Sequence, residues 1–150
     1  VPRVTYMGDP YSCAFSGKAL TFFSSRNLAS PELVEQRAID ERIDSVFYSD
    51  EYAAAIVRNT TGEYGSRLEV YKKDGTHVLS KEFNFEYTNA DLDGDLIILY
   101  NEDSCRIYNM SGTEKLDAAF DFPVSKIRKG RFPGTLVVTG PQQMRELKLR

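Results

Sequence analysis

Asp91, Asp93 and Asp95 alternate through DLDGDLIILY (91–100), and three carboxylates so close together first suggest a calcium loop. With Asp91 as position 1, Asp93, Asp95 and Glu102 fall at 3, 5 and 12, the ligand spacing of a helix-loop-helix calcium site. Two features oppose that reading. The loop needs glycine at position 6, where Leu96 stands, while Gly94 occupies position 4. The segment that follows, LIILY, has the composition of a buried strand rather than a helix. The preferred reading is a tight hairpin turn, with the three aspartates kept as the metal candidate.

Other reactive side chains are few. His77 is the only histidine, so a Ser-His-Asp or Cys-His centre would have to use it. It lies in DGTHVL, at a position expected to face solvent. Cys13 and Cys105 fit neither a disulfide scaffold nor a zinc site and are expected to be buried free thiols. The basic run KIRKGR (126–131) is followed by Arg145, Lys148 and Arg150. Lys126, Arg128 and Arg131 are therefore candidates for contact with an anionic surface, polysaccharide or lipid, the alternative being a solvated turn. Tyr64 lies in RNTTGEYGSR (58–67), a lengthened loop of the kind that carries binding functions on a rigid scaffold. No residue set points to a cofactor.

These candidates must be positioned by strands. RVTYM, SCAFS, ALTFF, SVFYS, AAAIV, LEVYKK, HVLSKEFNF, LIILY, CRIYNM and TLVVTG are short and rich in β-branched and aromatic residues, and turn residues separate them. Lys73-Asp74-Gly75-Thr76 and Met110-Ser111-Gly112-Thr113 are predicted hairpin turns with glycine at positive φ. Only SPELVEQRAIDERI (30–43) has helical features, with Ser30 as N-cap and Pro31 at the first helical position. In a β context its second half is expected to be a strand.

LEVYKKDGTHVLSKEFNF (68–85) aligns without a gap on CRIYNMSGTEKLDAAFDF (105–122), at an offset of 37 residues. Tyr71 meets Tyr108, Gly75 meets Gly112, Leu79 meets Leu116, Phe83 meets Phe120 and Phe85 meets Phe122. A four-stranded unit at this period predicts β-propeller-like repeats, about three and a half blades within 1–150. The blades are placed at about 2–42, 43–86, 87–123 and an incomplete 124–150. The alternative, an antiparallel β-sandwich, gives no reason for such a match. Tyr71, Phe83, Phe85, Tyr108, Phe120 and Phe122 are expected to pack between blades.

RLEVYKKDGTHVLSKEFNFEY, GDLIILYNEDSCRIYNMSGTEKL and the ending MRELKLR resemble an uncharacterised family of unknown function from Gram-positive, Clostridia-type bacteria. The resemblance covers most of the chain and places it at the family's C-terminal end. It implies a propeller-like extracytoplasmic domain, anchored to the membrane by a helix absent from this chain; a cytoplasmic location is the alternative. Since the matching motifs are structural repeats, it assigns no site residue.

The net charge of −3 argues against nucleic acid as a partner, and no apolar run is long enough to span a membrane, so no membrane contact is expected from this segment itself. The expected function is a non-catalytic binding or scaffold module. Its expected partners are an upstream half of the same protein or a second copy, and protein or cell-wall polymer beyond that. The alternative is a propeller-type hydrolase or lyase with its site in the central channel or the missing half.

Overall fold

The turn that closes each hairpin shows how the repeat is built. The Lys72 N–H donates to the Thr76 carbonyl at 2.8 Å, and the Gly75 N–H donates to the Lys72 carbonyl at 2.9 Å. One repeat further on, the Asn109 N–H donates to Thr113 at 3.0 Å and the Gly112 N–H to Asn109 at 3.1 Å. Gly75 and Gly112 hold φ of 88° and 85°, a region that an L side chain enters at a cost. A bulge falls between Val70 and Tyr71 in one hairpin and between Ile107 and Tyr108 in the other. The 37-residue offset is thus reproduced in turn and register.

The structure, a computed structural model, describes residues 3–6, 11–16, 19–24, 32–39, 42–58 and 64–150. Among them are fifteen strands, in four antiparallel sheets with strands in sequence order, and no helix. The first sheet contains β1 (Arg3–Tyr6), β2 (Tyr11–Ser16), β3 (Ala19–Ser24) and β4 (Glu32–Ala38). The second contains β5 (Ile43–Tyr48), β6 (Tyr52–Arg58), β7 (Ser66–Lys72) and β8 (His77–Phe83). The third contains β9 (Asn89–Asp93), β10 (Leu96–Tyr100), β11 (Ser104–Asn109) and β12 (Glu114–Ala119). The fourth has three strands, β13 (Lys126–Lys129), β14 (Thr135–Thr139) and β15 (Met144–Lys148). Three full sheets and one short of a strand are the three and a half blades expected of a β-propeller-like chain.

The blades fall into two compact units, Val1–Asn84 and Phe85–Arg150. In the first unit, Cys13, Leu20 and Phe22 of the first sheet pack with Ala53, Ala55, Val57 and Tyr71 of the second. Small alanines on β6 leave room for the Phe22 ring, whose centroid lies 5.8 Å from that of Tyr71. Phe22 is fully buried, which is worth about 2–3 kcal/mol against an exposed ring. In the second unit, Leu96, Ile98, Tyr100, Cys105 and Ile107 of the third sheet pack with Ile127, Leu136 and Val138 of the fourth. Phe122 belongs to this core and Phe120 packs against it.

Within the segment with helical features, Glu32–Ala38 form strand β4, so the strand starts in its first half rather than its second, and Ile43 opens β5. β4 pairs with β3 from Ser24↔Glu32 to Ala19↔Ala38, and its bulge sits opposite Phe22 and Phe23. Glu35, Arg37 and Ile39 turn inward at period two, so tertiary pairing overrides the local preference of ELVEQRA. Ser30 and Pro31 lie outside the described residues.

Candidate functional site

The acidic triplet and the basic run meet each other. β9 and β10 are joined by a two-residue turn, with Gly94 at φ 61°, and Leu96 pairs back on Asp93. This is the expected hairpin. Its three carboxylates point to β13 and not to a common centre. Asp91 Oδ2 lies 3.6 Å from Lys126 Nζ, and Asp95 Oδ1 lies 3.4 Å from Lys129 Nζ. Asp93 Oδ2 accepts the Lys129 backbone N–H at 2.7 Å. That N–H belongs to an edge strand, so the carboxylate caps a donor that β14 does not use. Among the described residues no three potential ligands come together as a metal cage.

Lys126 and Lys129 are therefore engaged within the second unit, whereas Arg128 is exposed without a carboxylate partner among the described residues. Arg131 lies with its guanidinium 5.9 Å from the ring centroid of Phe132, which is 60% exposed. Arg145 pairs with Asp121 at 3.3 Å and covers the Phe122 ring at 5.2 Å. Tyr64 is exposed in the bend before β7, and the loop residues 59–63 lie outside the described part.

His77 belongs to a polar cluster across β7 and β8. The Glu69 carboxylate accepts the Ser80 hydroxyl at 2.6 Å, lies 2.9 Å from His77 Nε2 and accepts Arg67 Nε at 2.8 Å. Both Ser80 and His77 bond to the carboxylate. A hydroxyl-activating relay instead needs the imidazole between hydroxyl and carboxylate. At the matching positions of the next blade, Arg106 replaces Glu69, Glu114 replaces His77 and Asp117 replaces Ser80. The Arg106 guanidinium lies 3.4 Å from Glu114 and 3.5 Å from Asp117. The same cross-strand clasp recurs with the acid Glu69 exchanged for the base Arg106 and the acids Glu114 and Asp117 at the partner positions, which marks it as part of the blade's construction.

The tyrosines at repeated positions are held by burial. It pushes Tyr71 and Tyr108 above the ordinary phenol range, and the Glu69 charge adds to the rise at Tyr71. The Asp74 carboxyl is lowered, chiefly by the Thr76 backbone N–H that closes its turn.

Two hollows were not legible in the sequence. One, of about 280 Å³, is lined by Tyr11, Glu51, Tyr52, Lys72, Lys73 and Asp74. Within it Lys73 pairs with Glu51 at 3.3 Å and lies over Tyr11 at 5.8 Å. The other, of about 430 Å³, is lined by Glu102, Asp103, Phe120, Asp121, Phe122 and Pro123. Each gathers residues from chain segments far apart in sequence or from turns without a periodic signal. Their side chains offer hydrogen bonds and charge.

Comparison with known proteins agrees with the architecture. A family of unknown function, DUF5711, matches residues 1–149. No curated protein matches the sequence. Among solved structures, HIRA(644-1017) is similar with a TM-score of 0.61 at 12% identity, over 93% of this chain and 47% of that one. Hsv2 of Kluyvelomyces marxianus has a TM-score of 0.58 at 14% identity, over 93% of this chain and 43% of that one. The computationally designed Ika4 protein has a TM-score of 0.58 at 8% identity, over 99% of this chain and 92% of that one. The chain therefore spans less than half of the HIRA and Hsv2 chains and nearly the length of the designed one. At these identities the likeness is one of fold.

Proposed function

We propose, for a chain that belongs to the DUF5711 family of unknown function, a non-catalytic interaction module whose fourth blade is completed by a strand from a partner. The observation that carries this reading is β15. It is the third strand of its sheet, yet four of its five residues are exposed. The third strands of the second and third blades, β7 and β11, are covered and largely buried. The Leu149 N–H donates to the Gly134 carbonyl on the β14 side. By alternation the N–H groups of Glu146 and Lys148 face the free edge. Arg145, Glu146 and Lys148 blunt that edge against indiscriminate pairing, while its backbone groups stay open to a specific strand.

The partner is an upstream segment of the same protein or a second copy, with protein or cell-wall polymer engaged by the assembled blades. The family resemblance of the repeats supports a place outside the cytoplasm, beside a membrane anchor elsewhere in the protein.

Sedimentation of this chain alone, and mixed with the preceding segment of its parent, tests the reading. A dimer or a complex is expected, and Glu146→Pro should abolish it by removing an outward N–H. A monomer that ignores the upstream segment, or a complex indifferent to Glu146→Pro, rejects strand completion at β15.

A further inference from the structure

The second unit is charged unevenly from end to end. Its β9–β10, β11–β12 and β13–β14 turns lie at one end, because Leu96 pairs with both Asp93 and Asn109, and Asp93 binds the Lys129 N–H. The chain end joins them: Lys148 pairs with Thr135, and the Arg150 N–H donates to the Lys115 carbonyl at 3.0 Å. This end carries Lys115, Arg131, Lys148 and Arg150, none with a carboxylate partner among the described residues. Of the acids nearest these turns, Asp93 and Asp95 are engaged by Lys129 and Glu114 by Arg106, while Glu146 stands exposed two residues before Lys148. The opposite end carries Glu102, Asp103 and Asp121 around the shallow hollow. A chain of net charge −3 thus presents a cationic face.

An aromatic ring projects from that face. Phe132 is 60% exposed at the tip of the β13–β14 loop, with Arg131, Pro133 and Gly134 exposed around it. A Cβ added at Gly134 would meet nothing within 4 Å, so that side of the tip is open. The exposure is braced. Thr135 Oγ1 donates to the Phe132 carbonyl at 2.6 Å, the Gly130 N–H donates to Thr135 at 2.8 Å, and the Leu149 N–H holds Gly134 at 2.8 Å. Thr135 lies so close to Gly130 that no side chain fits there.

We infer that this face docks on an anionic lipid bilayer. Phe132 sits in the headgroup region, and Arg131, Lys148 and Arg150 lie against the phosphates. A convex tip has no walls to enclose a small molecule or a peptide, whereas the interface of a bilayer yields to an inserted ring. Cations around the ring supply attraction to acidic headgroups. This is peripheral contact, not a span, and it departs from the sequence-based expectation of no membrane contact. It stands on the loop and the charges, independently of strand completion at β15.

The chain has no tryptophan, so Phe132→Trp places a single reporter at the tip. With vesicles of mixed phosphatidylglycerol and phosphatidylcholine, the expected results are co-sedimentation and a blue shift of the Trp emission. Both should be lost with phosphatidylcholine alone and weakened by salt. Phe132→Ser and Arg131→Glu should each weaken binding about tenfold or more. Because both side chains are exposed, thermal melts of the two variants should match the parent. Absence of binding to the acidic vesicles overturns the inference. So does binding that Phe132→Ser leaves unchanged. Soluble polyphosphate binding as tightly as the vesicles, with no blue shift, would instead assign the face to a free polyanion.

Discussion

Gly75 carries a steric burden on top of a backbone one that it shares with Gly134. Its φ of 88° is in the left-handed region, as is the 73° of Gly134. At Gly134 that strain is the whole cost of a side chain, since the space around it is open. At Gly75 an added Cβ would also meet Glu35 Cβ at 2.5 Å and Phe22 Cδ2 at 3.0 Å. The Gly75 carbonyl accepts Arg37 Nε at 3.1 Å, so the turn of the second blade is clamped on the first. Gly134→Ala should cost about 1–2 kcal/mol from backbone strain. Gly75→Ala should cost roughly 2–4 kcal/mol, because Phe22 and Glu35 must also move. Urea unfolding of both variants checks the order, and equal losses would show that the turn does not brace the inter-blade core.

Between elements, the telling contact is Asp93 on the Lys129 N–H, which joins the third sheet to an edge of the fourth. Asp93→Ala leaves that donor without its acceptor and should cost about 1–2 kcal/mol. Asp93→Asn, which keeps an oxygen there, should cost less. Hydrogen exchange at the Lys129 amide should quicken in the first variant and change little in the second. The sequence made the hairpin at Gly94 legible, because glycine at a turn and a following apolar run are local signals. It did not make the partner of the aspartates legible. Asp93 and Lys129 are neighbours only through the stacking of two sheets, and no periodicity carries that distance. The same limit explains β4, where ELVEQRA taken alone favours a helix and pairing with β3 decides otherwise. It also explains Lys73 over Tyr11 in the smaller hollow. By contrast, Tyr71, Gly75 and His77 could be placed from Tyr108, Gly112 and Glu114, because a repeat supplies the same three-dimensional context twice.

At the scale of the whole chain, each compact unit contains one thiol, and each thiol reports on the core around it. Cys13 packs with Leu20, Phe22 and the alanines of β6; Cys105 packs with Leu96, Ile98 and Ile107. Burial pushes the Cys13 thiol up to about 12 and the Cys105 thiol up to about 11, from 9.0. The nucleophilic thiolate is therefore scarce at pH 8 even before access is considered. The folded chain should leave both cysteines unlabelled by a thiol reagent at that pH, and both should react in urea. The same shifts set a pH dependence. A group whose folded pKa is raised contributes its stability below the unfolded value and loses it as pH climbs through the folded one. Stability should thus decline between about pH 9 and pH 12, and Cys13→Ala with Cys105→Ala should flatten that decline while lowering stability at pH 7. Rapid labelling of either cysteine in the folded chain would mean that its unit opens far more often than a packed pair of blades allows. Since repeat proteins can open unit by unit, timing the two cysteines separately against urea distinguishes one cooperative transition from two.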